Sequence, residues 1–508
     1  MIVMKFGGTS VGDAEPIAQA TQIVHGAVTG PSTRLRTGPS TKLGAGPSTG
    51  LRTGELAGMG QAFESPQPVV VVVSAMSGVT DALVEAATSA ADRDGQTFRQ
   101  VKESLLERHR AVIEAIVGGG ETRSNAPHKS ALLDEIEALL HEFESLCQSI
   151  YILGELTPRG LDAVSSLGER LLVRVFAAAL QSLGVEARPL EATDLIITDE
   201  NYGGATPLMD ETRGRVQAHL VPLLAEGITP VVTGFIGGTL DGIVTTLGRG
   251  GSDYTAAILG HCLDSREIWI WTDVDGIMTA NPRVVPEART LPEISYAEAA
   301  ELSYFGAKVL YPKTILPALE KDIPIRIVNT FNPGHPGTLV VAEAEPTGKA
   351  VKAITAIKRL SLITVEGRGM IGVPGIAAKV FSAVAREGVS VLMISQSSSE
   401  QNICFVIPQK ANGRALRALE SEFELELARR NIDRIGAQGD VAIVAVVGAG
   451  MKGTPGIGAK VFGALGRNAI NVISVAQGSS EYNISLVVDE KNVDDAVRYI
   501  HQEFELGG

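Results

Sequence analysis

The 508-residue sequence predicts an α/β protein. It reads as an α/β/α sandwich on a mostly parallel sheet, followed by two smaller α+β modules of βαββαβ plan. Two observations carry this. Up to about residue 345, short apolar runs at 2–5, 69–74, 195–198, 229–233, 267–271 and 324–328 alternate with helical patterns such as Asp81 to Ala91 and Leu161 to Leu183. Alternation of that kind is the mark of strand–helix–strand units and a parallel sheet. Beyond it the chain repeats itself at an offset of 81 residues: Gly369-Met-Ile-Gly-Val-Pro374-Gly-Ile-Ala-Ala-Lys379-Val-Phe381 returns as Gly450-Met-Lys-Gly-Thr-Pro455-Gly-Ile-Gly-Ala-Lys460-Val-Phe462. The same offset pairs Gln396 with Gln477, Glu400 with Glu481 and Asn402 with Asn483. A chain of this length exceeds one hydrophobic core, so several domains are expected.

Taken in order, residues 1–345 form the larger domain, 346–436 the first module and 437–508 the second. Within the larger domain, 30–68 is a low-complexity insertion. Its residues 30–53 hold an eight-residue unit beginning Gly-Pro-Ser-Thr three times over. Pro and Gly in every unit exclude a helix, and the unit holds little that could build a core. Residues 94–150 are charged and helical in pattern, and read as a lid or satellite subdomain. In each C-terminal copy a Pro sits just inside a helix start, where it is favoured and where free N–H groups can take a carboxylate.

Bulk properties narrow the function classes. Formal net charge is −14, which argues against a general nucleic-acid or anionic-membrane binder. No apolar run approaches bilayer length, and the N-terminus opens directly into a strand rather than a signal-like segment. Cys147, Cys262 and Cys404 are far apart, with neither metal-ligand spacing nor a disulfide framework, so a cytoplasmic location is expected.

The first ten residues are the most informative. Met1-Ile-Val-Met-Lys5-Phe6-Gly7-Gly8-Thr9-Ser10 is an apolar strand running into a Lys, a Gly pair and two hydroxyls. Glycines let backbone N–H groups turn toward an anion, and Lys adds a point charge for phosphate. Gly248-Arg249-Gly250-Gly251-Ser252-Asp253 is a second such loop after an apolar stretch and before a helix-like run. Two loops of this kind imply a site that grips a polyphosphate from two sides.

These loops, with Val73-Ser-Ala-Met-Ser-Gly-Val-Thr80, Ser166-Leu-Gly-Glu-Arg170, Thr272-Asp-Val-Asp-Gly276 and Phe305-Gly-Ala-Lys-Val-Leu310, resemble in order the motifs of the aspartate kinases of the amino acid kinase family. The C-terminal third resembles paired ACT domains. The resemblance implies transfer of phosphate from ATP, with Mg²⁺ as a phosphate-bridging ion, to the side-chain carboxylate of L-aspartate, giving 4-phospho-L-aspartate. That reaction opens lysine, threonine and methionine synthesis. Without a dehydrogenase-like segment after the ACT pair, a monofunctional enzyme is expected. The chain departs from the family at Met278, where Tyr is usual, and at Asn281, where Asp is common.

The chemistry assigns roles. The acceptor carboxylate has an ordinary pKa near 4, so it is ionised at neutral pH and needs no general base. Repulsion between two anions opposes the reaction, and the site must supply cations and placement. Lys5 is expected to stabilise the transferring phosphoryl group, with backbone donors from Gly7 and Gly8. Asp253 would orient Lys5 or a metal-bound water. Arg249 would fork onto the substrate α-carboxylate. The resemblance implies Glu169 facing the α-ammonium, with Ser74, Thr80 and Ser252 seating the substrate. On the nucleotide side it implies Phe6, Thr272, Asp273, Met278, Arg283 and Lys308. Arg326 and His335 read as structural. The paired modules imply feedback by an amino-acid effector, threonine favoured over lysine, at Gln396, Asn402, Gln477 and Asn483, and a homo-oligomer, dimer or tetramer. The competing readings are a related kinase acting on glutamate, carbamate or a nucleotide, and an amino-acid sensor with a decayed kinase domain.

Overall fold

The computed structural model describes residues 1–30, 65–117, 126–306, 310–345, 348–397 and 401–507. From residue 31 on, the repeat insertion lies outside the described residues. The chain divides into two compact units: Met1–Ile277 with Pro292–Ile294 and Val309–Ala342, and Met278–Leu291 with Ser295–Lys308 and Glu343–Gly508.

In chain order the first part holds β1 (Ile2–Phe6), α1 (Ala14–Thr29), β2 (Val69–Val73), α2 (Val79–Ala91), α3 (Thr97–Val117), α4 (Ala126–Leu153), α5 (Pro158–Ser165), α6 (Leu167–Ser182), β3 (Ala187–Leu190), α7 (Met209–Ala225), β4 (Thr229–Thr233), β5 (Ile236–Gly238), β6 (Val244–Thr246), α8 (Gly251–Cys262) and β7 (Glu267–Thr272). Then come β8 (Glu293–Ser295), α9 (Tyr296–Tyr304), α10 (Leu316–Leu319), β9 (Ile325–Asn329) and β10 (Thr338–Val341). Eight strands form one sheet in the order β3-β4-β2-β1-β7-β9-β10-β8. β1 pairs in parallel with β2 on one side and β7 on the other. β1 and β2 are buried throughout, as central parallel strands covered on both faces must be. Ile2, Met4 and Phe6 with Val69, Val71 and Val73 face a core shared with α1, α2, α3, α4 and α6. Alternation turns Val3 and Lys5 to the opposite face, where α8 packs on β1, β2 and β7. The chain leaves β1 to one side and returns at β7 on the other, and the carboxyl ends of strands at such a reversal are where α/β sheets bind ligands.

Two expectations are corrected. Residues 195–198 are not a strand of this sheet; they make only isolated bridges, Ile197 to Gly238 and Thr198 to Pro207. They are buried, but an apolar run does not say what it pairs with. The strand is instead β3, Ala-Arg-Pro-Leu, an edge strand with two exposed residues and hence no apolar signal. The helical run from Leu161 to Leu183 is divided at Ser166 into α5 and α6.

The second unit continues with β11 (Ala353–Glu366), α11 (Ile376–Arg386), β12 (Met393–Gln396), β13 (Asn402–Pro408), α12 (Asn412–Glu422), α13 (Glu424–Ala428), β14 (Arg434–Val447), α14 (Ile457–Arg467), β15 (Ser474–Gln477), β16 (Asn483–Asp489) and α15 (Val493–Glu503). Its strands form one sheet, β12-β13-β11-β14-β16-β15. The two repeats are interleaved. The second half of β11 pairs with β13 and with the start of β14, while Ala353–Ile357 pair with Ile443–Val447 at its end. Each repeat thus takes one strand from the opposite end of a shared ribbon.

Candidate functional site

Lys5 is the last inward residue of β1 on the α8 side, and the chain turns immediately after it. Its Nζ lies 2.5 Å from Asp253 Oδ1, and both side chains are largely buried. Asp253 sits in the first turn of α8, whose N-cap is Gly250 at φ +75°. A Cβ there would approach Tyr311 Cβ to 2.9 Å, so glycine is required both by conformation and by space. Asp253 is therefore not itself the helix cap; it points at the lysine.

Around this pair lies a cavity of about 860 Å³ lined by Gly8, Ser74, Thr80, Glu169, Arg249 and Ser252, among others. Gly7, Thr272 and Asp273 also line it. The carboxyl ends of β1, β2 and β7 open onto this space. Glu169 stands in the first turn of α6, 3% exposed. Its Oε1 accepts from the Ala75 N–H at 3.1 Å, whereas its Oε2 is buried without a partner. Burial pushes its carboxyl up to about 8, only partly offset by the Ala75 hydrogen bond. Gly168 lets α6 come this close, since a Cβ there would meet Ala75 Cβ at 2.8 Å. Arg249 is exposed on the cavity rim and has no ion-pair partner among the described residues. One cavity thus presents a desolvated, half-satisfied carboxyl, a free guanidinium and a lysine held by a carboxylate.

Several expected residues fall elsewhere. Phe6 does not line the cavity; the pleat sends it to the other face of β1, fully buried and stacked on Trp271 with centroids 5.9 Å apart. Gly7 is not a free donor: its N–H donates to Trp271 O at 3.1 Å, extending the ladder beyond β1. A Cβ there would stand 3.4 Å from Lys5 Nζ, an ordinary contact, so Gly7 borders the lysine without being required by space. Gly8 N–H has no acceptor among the described residues. Met278 and Arg283 belong to the second unit. There Met278 bridges Thr290, and Arg283 is exposed with its N–H on Asn281 Oδ1 at 3.0 Å. Lys308 lies outside the described residues. Arg326 is structural as expected, 2.7 Å from Glu267 and over the Trp269 ring, and His335 Nδ1 accepts from Gly337 N–H.

Sequence reasoning missed Asp162, which lines the same cavity at 2% exposure. A carboxylate seven residues before Glu169, among Leu161, Ala163 and Val164, was the available signal.

In the second unit, a smaller cavity of about 280 Å³ at the start of α11 is lined by Pro374, Gly375, Ile376, Gln396 and Ile403. In the other repeat, Asn483 Nδ2 donates to Glu301 at 3.2 Å and Ser485 at 3.0 Å, and Glu481 accepts from Gly453 N–H at 2.7 Å. Gln477 ends β15, exposed like Gln396, and Asn402 opens β13; residues 398–400 lie outside the described residues.

Comparison with known proteins bears on the family of both parts of the chain. The model of the amino acid kinase family matches residues 1–329, and that of the ACT domain matches 363–423 and 444–504. Aspartokinase 1 of Arabidopsis thaliana chloroplasts is 32% identical over 514 residues, spanning 100% of this chain and 80% of that protein. A bifunctional aspartokinase/homoserine dehydrogenase of the same plant is 38% identical over 443 residues, 86% of this chain and 48% of that one. The chain spans about half the length of such bifunctional relatives. Among solved structures, E. coli aspartokinase III with aspartate and ADP aligns at TM-score 0.75 and 28% identity over 99% of both chains. The same enzyme with lysine and aspartate aligns at 0.74. No helix among the described residues is long and apolar enough to cross a membrane.

Proposed function

The chain belongs to the amino acid kinase family, among its aspartokinases with ACT domains, and on that footing we propose that it transfers the γ-phosphoryl group of ATP to the side-chain carboxylate of L-aspartate. The observation that supports this reading is the pairing, in one cavity, of Glu169 with its unpartnered buried oxygen and Arg249 with its uncommitted guanidinium. An α-ammonium satisfies the first and an α-carboxylate the second, which leaves the side-chain carboxylate to face Lys5. That carboxylate is already an anion, so no residue need remove a proton. Lys5, kept in place by Asp253, lowers the repulsion between the two anions and stabilises charge on the transferring group. Ser252 and Asp253 stand in the first turn of α8, where free N–H groups favour phosphate oxygens. Thr272 and Asp273, at the end of β7, lie on the nucleotide side of this reading.

The glycine cradle and Lys5 fit a nucleoside triphosphate. A magnesium ion accompanying it would be held chiefly by phosphate and water. Of the cavity carboxylates, Asp81 and Asp273 are exposed, and Asp273, next to the end of β7, is the one that could face its hydration shell. The start of the lysine, threonine and methionine routes is the metabolic place this reaction implies. The cavity at Gln396 supports amino-acid feedback, for which we retain threonine over lysine; the E. coli neighbour carries lysine in its solved form. Asn483, already bound to Glu301, is the weaker effector candidate of the two asparagines. A dimer or tetramer through the ACT modules completes the reading.

The test is direct. Purified protein, ATP and Mg²⁺ are incubated with aspartate, glutamate or carbamate in hydroxylamine, which traps an acyl phosphate as a coloured hydroxamate. Hydroxamate with aspartate alone is expected. ADP release with another acceptor, or none with any, removes the assignment. Threonine and lysine titrated into the aspartate assay then separate the effectors.

A further inference from the structure

Asp162 is a buried carboxylate without a cationic partner among the described residues. Oδ2 accepts from the backbone N–H groups of Gly203 and Thr246, each at 2.9 Å, and Oδ1 accepts from Thr246 Oγ1 at 2.8 Å. Burying an anion without a countercharge is costly unless donors surround it. Three donors do so here, and they come from two different segments. Gly203 belongs to the turn before α7, and Thr246 is the last residue of β6. That turn and that strand meet: Ala205 N–H donates to Thr246 O at 2.8 Å, and a Cβ on Gly248 would lie 3.2 Å from Gly203 O. Gly248 at φ +74° then leads directly into Arg249. The carboxylate therefore clamps the base of the loop that carries the guanidinium.

Asp162 lies on α5, seven residues before Glu169 at the head of α6, so the same helical pair carries both carboxyls. We propose that Asp162 is a positioning residue for the amino-acid head group: its three hydrogen bonds fix where Arg249 stands relative to Glu169, and so set the fit to an α-amino carboxylate. The proposal rests on the aspartate-kinase reading and adds to it the residue that holds the two halves of the head-group site in register. It acts by geometry and not by charge. An asparagine can reproduce the pattern, its oxygen accepting both N–H groups and its amide donating to the threonine hydroxyl.

That distinction makes the test. Asp162→Ala is expected to raise the KM for aspartate about tenfold or more, with the KM for ATP changed less than about twofold. Asp162→Asn is expected to recover most of that loss, and Thr246→Val to show an intermediate rise that Thr246→Ser reverses. The Thr246 pair carries the test if the alanine variant does not fold. An asparagine variant as impaired as the alanine one shows that charge is what matters and overturns the proposal. So does an equal rise in both KM values, or no rise. A wild-type protein inactive on aspartate fails the parent reading instead, while an active wild type with an unaltered Asp162→Ala variant fails this inference alone.

Discussion

Glu169 is a carboxyl whose proton is governed by what stands in front of it. With its side-chain pKa near 8, against an ordinary value of about 4.3, the folded protein between those limits holds a proton that the unfolded chain has lost. The folded state binds more protons there, so this group's contribution to stability is complete below about pH 4.3 and is lost as pH rises through 8. An α-ammonium reverses the preference by favouring the ionised form. Aspartate binding at neutral pH should therefore release a proton, and affinity should rise with pH up to about 8. Titration calorimetry at pH 7 in phosphate and in Tris checks this, because proton release makes the observed enthalpy depend on the buffer; equal enthalpies would count against it. Lys5 makes a different prediction. Lys5→Ala should lower kcat about 10²–10³-fold, the usual loss on removing one stabilising donor at a developing charge, with a smaller change in the KM for aspartate. A raised KM with normal turnover would assign Lys5 to binding. For Arg249→Lys the order is reversed: loss of the two-pronged contact should raise the KM for aspartate more than it lowers kcat, and steady-state kinetics showing that KM unchanged would refute the assignment. That Lys5, Asp253, Glu169 and Arg249 share one cavity was legible in the sequence, because charged residues beside glycine loops leave a local trace. The places of Phe6 and Gly7 are hidden in the sequence for one shared reason: which face of β1 lines the cavity, and whether the Gly7 N–H is already spent on β7, depend on neighbours some 265 residues away.

Among the elements, α9 shows how a short helix is fastened to the regulatory sheet. Its N-cap is Ser295, which forms a capping box with Glu298. Glu298 is fully buried and also accepts from Ala449 N–H at 2.6 Å and from Lys352 Nζ at 3.1 Å. Burial alone would push its carboxyl up; the Ala449 and Ser295 hydrogen bonds and the Lys352 charge bring it below its ordinary value. Stability from this group is thus present above the unfolded pKa of about 4.3 and is lost as pH falls through the lower folded value. Lys352→Met removes the buried cation and should cost about 3–5 kcal/mol, read as a lowered denaturation midpoint in urea at pH 7. A loss below 1 kcal/mol would mean that the backbone and serine donors suffice. The sequence analysis singled out neither the cap at Ser295 nor the burial of Glu298 against Lys352 and Ala449. Element type is a local property, whereas the partner of a strand or helix is not. That is why β3, with its exposed Arg188 and Pro189, carries no strand signal in the sequence, while 195–198, buried but outside the sheet, carries one.

At the scale of the whole chain, the regulatory third is where sequence and topology diverge most. The repeat at offset 81 predicts two modules in series, yet β11 and β14 each run through both. Ile363 and Val365 of β11 lie in the core of the first repeat with Phe405 and Val380, while Ile354 of the same strand lies in the core of the second with Leu486 and Val461. β14 likewise sets Ala442, Val444 and Val446 in the second core, with Ile435 packed against the first. Neither repeat can lose its packing without releasing a strand that the other needs. The two should therefore unfold as one cooperative transition. Phe405→Ala and Leu486→Ala, each deleting a buried side chain from a different repeat, should cost about 2–5 kcal/mol apiece, and both should lower the same calorimetric peak, with the signal of the undisturbed repeat moving in step. Independent modules would instead give a peak that splits, with only the mutated half shifting. The consequence for control follows from the same strands. If the proposed effector sits at Gln396 beside α11, it would act on a sheet that has no boundary between repeats, so a state favoured in the first would be shared by the second.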